Sequence, residues 1–183
     1  TEMQVANFLD KGILFSPDIV VLNYFINDAE PIPRPTKNIL MKYSAAYVFF
    51  SLRLGSISRK FFGGKQWHEY YKDLYDEKNE NWQRVKSSIV RLAEYCKSNG
   101  IKLVFVNYPE LHQLNPYPFE SVNTKLKTVA TKLEIPFLDL IPSLKKEPEE
   151  NLWVSRQDQH PNSFACKLID PAINKLLISK FVS

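Results

Sequence analysis

Residues 158–162 read Asp-Gln-His-Pro-Asn, and they raise the first chemical possibility in this chain. A serine nucleophile needs a base for its proton, and a histidine serves best when a carboxylate fixes its tautomer. Asp158 lies two residues before His160, close enough for a tight loop to bring its carboxylate onto the imidazole. Pro161 and Asn162 then suit the start of a helix that would hold the loop. The same residues also read as ordinary helix punctuation beside a solvated histidine, and the stretch alone does not separate the two. A second candidate is Asn27 in Tyr-Phe-Ile-Asn-Asp, just beyond an apolar run. There its amide could donate to a developing oxyanion, although Asn-Asp after a strand is also common turn chemistry. Together, the two stretches point to acyl transfer.

The elements that would position these residues follow from periodicity. Residues 17–25, PDIVVLNYF, form a short β-branched run that predicts a strand buried on both faces of a parallel sheet. A proline-rich loop follows, then an apolar helix over residues 39–54. That helix reads as core packing, with a lid, an acyl-binding wall or a membrane-interface contact as alternatives. A helical region from Trp67 to Ser98 divides in two. In its second piece Trp82, Val85, Ile89, Leu92 and Cys96 make an amphipathic stripe. Gly100 is expected as its left-handed C-cap. Residues 101–109 and 135–140 predict two more strands, with a helix from Val122 to Leu133 between them. The last helix begins near Pro161, carries Phe164, Leu168, Ile169, Ile173, Leu176 and Leu177 on an apolar face, and should kink at Pro171. This order is the grammar of a single α/β domain with a parallel sheet. Ligands in such sheets bind beyond the C-terminal ends of the strands. Asn27, Asp28, Asn107–Glu110 and Asp139 fall there, and the Asp158–His160 loop belongs at the same edge.

Composition narrows the classes. The chain has 183 residues, a net charge of +4 and interspersed charges, so it lacks the basic stripe of a nucleic-acid binder. No run reaches the ~18 apolar residues of a membrane span. The two cysteines, Cys96 and Cys166, read as buried free thiols, and no Cys/His spacing suits zinc. Aromatic residues make up 13%, fitting either a large core or a stacking, sugar-binding surface. His112 lies past a strand end, where it either lines a pocket or is simply a surface histidine.

PDIVVLNYFINDAE and VSRQDQHPNSFACKLI resemble the third and fifth conserved blocks of the SGNH/GDSL hydrolases, and the elements between them follow the same order. The resemblance implies a flavodoxin-like three-layer α/β/α fold and esterase or acyl-transfer activity without a metal or organic cofactor. By that resemblance Asn27 donates to the oxyanion, His160 is the general base and Asp158 is its carboxylate. Phe25 stands where the family's third block usually has glycine. Only Gln159 separates Asp158 from His160, and Gln157 occupies the commoner aspartate position. The family's Gly-Asp-Ser block would precede Thr1, so the chain is expected to be N-terminally incomplete, with TEMQVANFLDKG resembling the helix before the third block. Ser56 lacks the surroundings of a nucleophile elbow, and Ser16 precedes its strand.

The expected substrate is a small acyl or acetyl ester, including acylated carbohydrates. An O-acetyltransferase would use the same residues, and a non-catalytic binding or assembly module on a degenerate fold is the rival. Without a preceding strand, the Ile19–Phe25 edge invites pairing. It is expected to be covered by a second copy, by an N-terminal segment or by rearrangement.

Overall fold

A computed structural model describes residues 1–31 and 65–181. The helix expected over residues 39–54, the loop before it, and Ser56 lie outside the described residues. Three strands, β1 (Ile19–Phe25), β2 (Lys102–Tyr108) and β3 (Phe137–Asp139), form a parallel sheet in the order β1-β2-β3. The helices described are α1 (Glu2–Asp10), α2 (Lys65–Leu74), α3 (Glu80–Ser98), α4 (Glu120–Lys132), the short α5 (Ile141–Leu144) and α6 (Ser163–Phe181). An antiparallel hairpin of β4 (Trp153–Ser155) and β5 (Asp158–Pro161) precedes α6. Among the described residues no helix is long and apolar enough to cross a membrane.

Register and strand alternation divide the sheet into two faces. Leu22 lies opposite Phe105, which lies opposite Phe137, and Tyr24 lies opposite Asn107, which lies opposite Asp139. Side chains of one parity share a face, so these six stand on the side of α3 and α4. There the Tyr24 and Tyr75 hydroxyls are 2.7 Å apart, and the Tyr75 ring lies 5.2 Å from that of Trp82. From α4, Asn123 donates to Asp139 Oδ2 at 2.9 Å. On the opposite face, Lys102 Nζ donates to the Phe181 carbonyl of α6 at 3.3 Å.

The stripe on α3 folds as its spacing dictates: Trp82, Val85, Ile89, Leu92 and Cys96 are all buried. Asn79 caps the helix start by accepting from the Asn81 amide. At the other end Gly100 has φ +68°, and the Ile101 amide reaches back to the Cys96 carbonyl at 2.9 Å. Glycine takes this left-handed geometry without a Cβ penalty. Trp82 is fully buried and its indole N–H donates to Glu77 at 3.0 Å. We expect Trp82→Ala to lower the unfolding free energy by about 3–5 kcal/mol, read by denaturant titration.

Four expectations need correction. Strand β1 is not buried on both faces: Leu22 and Tyr24 are buried, but Asn23 is exposed and Ile19 is 37% exposed. Among the described residues α6 packs against β3 and reaches β2, and the second face of β1 is only partly covered. Cys166 is exposed, unlike Cys96, because Ala165 and Ile169 take the inward positions on α6. Phe164 is 41% exposed for the same reason, and Pro161 belongs to β5, so α6 starts at Ser163. Pro171 lies inside α6, which runs from Ser163 to Phe181. Among the described residues β1 is paired on one side only, and its outer edge carries a 3.4 Å hydrogen bond from Gln4 Nε2 to the Asn23 carbonyl.

Candidate functional site

The C-terminal ends of the three strands gather the candidate residues. After β1 the chain makes a 3-10 turn over Ile26–Ala29. Ile26 and Ala29 are buried, and the Ile26 carbonyl accepts from the Tyr75 hydroxyl at 2.7 Å. Asp28 closes the turn: its Oδ2 accepts from the Phe25 amide at 2.9 Å, and its Oδ1 accepts from the Thr1 nitrogen at 2.5 Å. With its neighbours anchored inward, Asn27 is left exposed. Among the described residues its side-chain amide makes no hydrogen bond. It borders a cavity of about 250 Å³ shared with Thr1, Gln4, Glu30 and Arg84.

Asp158 and His160 do meet. Ser155 Oγ accepts from the amides of Gln157 and Asp158 at 3.2 and 3.1 Å, which turns the hairpin. Asp158 Oδ1 then accepts from the His160 amide at 3.1 Å and lies 2.6 Å from His160 Nδ1. An ionised carboxylate only accepts, so Nδ1 carries the hydrogen and Nε2 is left as the working nitrogen. The hydrogen bond from the imidazole, then that from the backbone amide, holds the Asp158 carboxyl below its ordinary range. Both side chains stand in the open, His160 79% and Asp158 49% exposed.

Asn162 explains why this loop precedes a helix. Its Oδ1 accepts from the Phe164 and Ala165 amides, both at 2.9 Å, capping α6. Such a cap contributes about 1 kcal/mol. Its Nδ2 donates to the carbonyls of Asn151 and Trp153 at 2.8 and 2.9 Å, clamping the base of the hairpin. The sequence predicts the cap but reads the preceding segment as a loop, where the structure has two short strands.

Asn27 and His160 are not in contact among the described residues, but a row of aromatic groups runs between their elements. The Tyr71 hydroxyl donates to Glu30 Oε1 at 2.5 Å. Burial, then that hydrogen bond, holds the Tyr71 phenol above its ordinary value. Tyr71 packs on Trp67 at 5.7 Å between ring centroids, Trp67 on His112 at 5.4 Å, and His112 on Trp153 at 6.1 Å. The Trp153 indole donates to the Leu111 carbonyl at 2.9 Å, tying the hairpin to the loop after β2.

That loop holds a second carboxylate–imidazole pair which sequence reasoning passed over. Glu110 Oε2 accepts from the His112 amide at 2.9 Å, and its Oε1 contacts His112 Nδ1. This repeats the construction of Asp158 and His160, at the same two-residue spacing. Here the carboxylate is buried, with 6% of its side chain exposed, while His112 is 50% exposed. The repeated carboxylate-x-His pattern was the available signal.

The other strand-end residues have structural partners. Asp139 Oδ2 accepts from Asn123 and its Oδ1 from the Ile141 amide at 3.1 Å. Asn107 is buried, and its Nδ2 has no hydrogen-bond partner among the described residues. Ser16 precedes β1 and lies at the opposite end of that strand from Asn27. Among the described residues no three His, Cys, Asp or Glu side chains converge as a metal site. Comparison of the chain with protein-family models, with curated proteins and with solved structures finds no match.

Proposed function

We propose that this chain carries the base and the oxyanion donor of an SGNH-type serine esterase, with the flavodoxin-like α/β/α fold of that family. The observation that carries the reading is the Asp158–His160 pair, with the carboxylate on Nδ1 and Nε2 turned away from it. Its position ahead of a helix capped by Asn162, beyond the strands of a parallel sheet, supports it further. Any chain leading into Thr1 would arrive beside the Asn27 turn, because Thr1 lies against Asp28. That is where the upstream serine of this proposal has to act.

In the proposed reaction the serine Oγ attacks the ester carbonyl and His160 Nε2 takes its proton. Asp158 holds the imidazole in the tautomer that can do so and stabilises the imidazolium. The Asn27 amide donates to the tetrahedral oxyanion, and its collapse returns the proton to the departing alkoxide. Water, activated by the same histidine, then releases the acyl group. A sugar hydroxyl in place of that water would make the enzyme an O-acetyltransferase. Acetyl and small acyl esters, including those of carbohydrates, are the proposed substrates, and neither metal nor organic cofactor takes part. The open edge of β1 is proposed to be covered by the upstream segment or by a second copy.

The test is turnover of p-nitrophenyl acetate by the longest natural form of the protein. There Asn27→Ala is expected to lower kcat by roughly 10²–10³ with KM little changed. Unchanged kcat would remove Asn27 from the oxyanion site. A non-catalytic binding module is the second reading, favoured by the exposure of His160 and its lack of contact with Asn27 among the described residues. Absence of turnover in every form would support that reading.

A further inference from the structure

Glu110 is hard to account for as a surface-loop residue. A buried carboxylate loses hydration and is tolerated only when its oxygens are engaged. Both oxygens of Glu110 are engaged, and both on His112: one by the backbone amide at 2.9 Å, the other by Nδ1. The Glu110 amide is fixed in turn, donating to the Tyr117 hydroxyl at 3.2 Å. A buried anion is thus devoted to orienting one half-exposed ring. The carboxylate places the hydrogen on Nδ1, so the neutral ring has Nε2 as an outward acceptor. The ring is also held from the sides, with Trp67 at 5.4 Å and Trp153 at 6.1 Å between centroids. His112 lies in the row linking the Glu30 end of the Asn27 turn to the hairpin of His160.

We propose that the Glu110–His112 pair, between the Trp67 and Trp153 rings, binds the alcohol portion of a carbohydrate ester. This rests on the esterase reading and names its substrate class. His112 Nε2 accepts a hydrogen bond from a sugar hydroxyl, and Glu110 acts only as the positioning residue. Both indoles are half-buried, Trp67 packing also on Phe119 at 5.4 Å, and an indole face left accessible suits the C–H edge of a pyranose ring. An imidazole acceptor discriminates against an alcohol that has no second hydroxyl to offer, because its own hydrogen bond is then left unmade.

The test uses the longest natural form, with acetylated xylo-oligosaccharide and p-nitrophenyl acetate as the two esters. His112→Ala is expected to raise KM for the oligosaccharide about tenfold more than for the nitrophenyl ester, with the loss in KM rather than kcat. Glu110→Gln is expected to move KM in the same direction, and His112→Gln to retain part of the discrimination through its amide oxygen. The deacetylated oligosaccharide provides a readout independent of turnover: it should shift the His112 imidazole ¹⁵N resonances, assigned by their loss in His112→Gln, and leave those of His68 in place. Equal losses on both esters, with no shift at His112, would overturn the proposal while leaving the esterase reading standing. No turnover of either ester would overturn the esterase reading, and a sugar-induced shift at His112 would then still support the binding site.

Discussion

Replacing His160 by alanine is expected to lower kcat of the longest natural form about a million-fold, as loss of the base does in a serine hydrolase. Without Nε2 the serine proton has no acceptor, and the departing alkoxide has no donor. The fold should be unaffected. The His160 side chain is 79% exposed, and its partner Asp158 is 49% exposed. Substitutions at such positions usually stay within about 0.5 kcal/mol. The measurement is kcat on p-nitrophenyl acetate beside thermal unfolding of the same variant. An unchanged melting transition with lost activity identifies His160 as the base. Retained activity assigns the base elsewhere.

Asp158→Asn should cost about 10⁴ in kcat, less than loss of the base itself. The substitution keeps size and hairpin geometry but replaces an acceptor-only group with an amide that can present its N–H₂ to Nδ1. The imidazole is then free to put its hydrogen on Nε2, which no longer accepts a proton. The pH dependence follows from the direction of the Asp158 shift. Its carboxyl is held below the ordinary value by the His160 imidazole and then by the His160 amide. A depressed carboxyl contributes stability that is fully present above its unfolded value, and that stability is lost as pH falls through the folded value. The pair is therefore intact at neutral pH, and acid should release the imidazole only below the ordinary aspartate range. A ¹³C titration of the Asp158 carboxyl should give a midpoint below that of an unstructured aspartate, and His160→Ala should raise it. A midpoint insensitive to His160→Ala would contradict the pairing.

Much of the scaffold was legible because it depends on local pattern. The α3 stripe buried all five of its predicted positions, and Gly100 took the left-handed conformation that a helix C-cap requires. The contact between Asp158 and His160 was also readable, since two-residue spacing lets a carboxylate meet both the amide and the ring. What escaped depended on distant parts of the chain. The apolar β1 run contains no sign that, among the described residues, α6 packs on β3 and leaves one face of β1 only partly covered. Strands β4 and β5 have three and four residues, too few for alternation to register. Glu110 reads as a loop acid, and only the fold buries it beneath His112. The row through Tyr71, Trp67, His112 and Trp153 joins three separate elements, α2, the loop after β2 and the hairpin, and beyond the four-residue step from Trp67 to Tyr71 no periodicity predicts it.

The account turns on whether a serine is activated by His160. A fluorophosphonate probe, applied to this 183-residue chain and to the longest natural form and mapped by mass, tests that directly. The expected result is a single tag on the longer form, upstream of Thr1, absent from the shorter chain and lost on His160→Ala. A tag within residues 1–183, or none on either form, would contradict it.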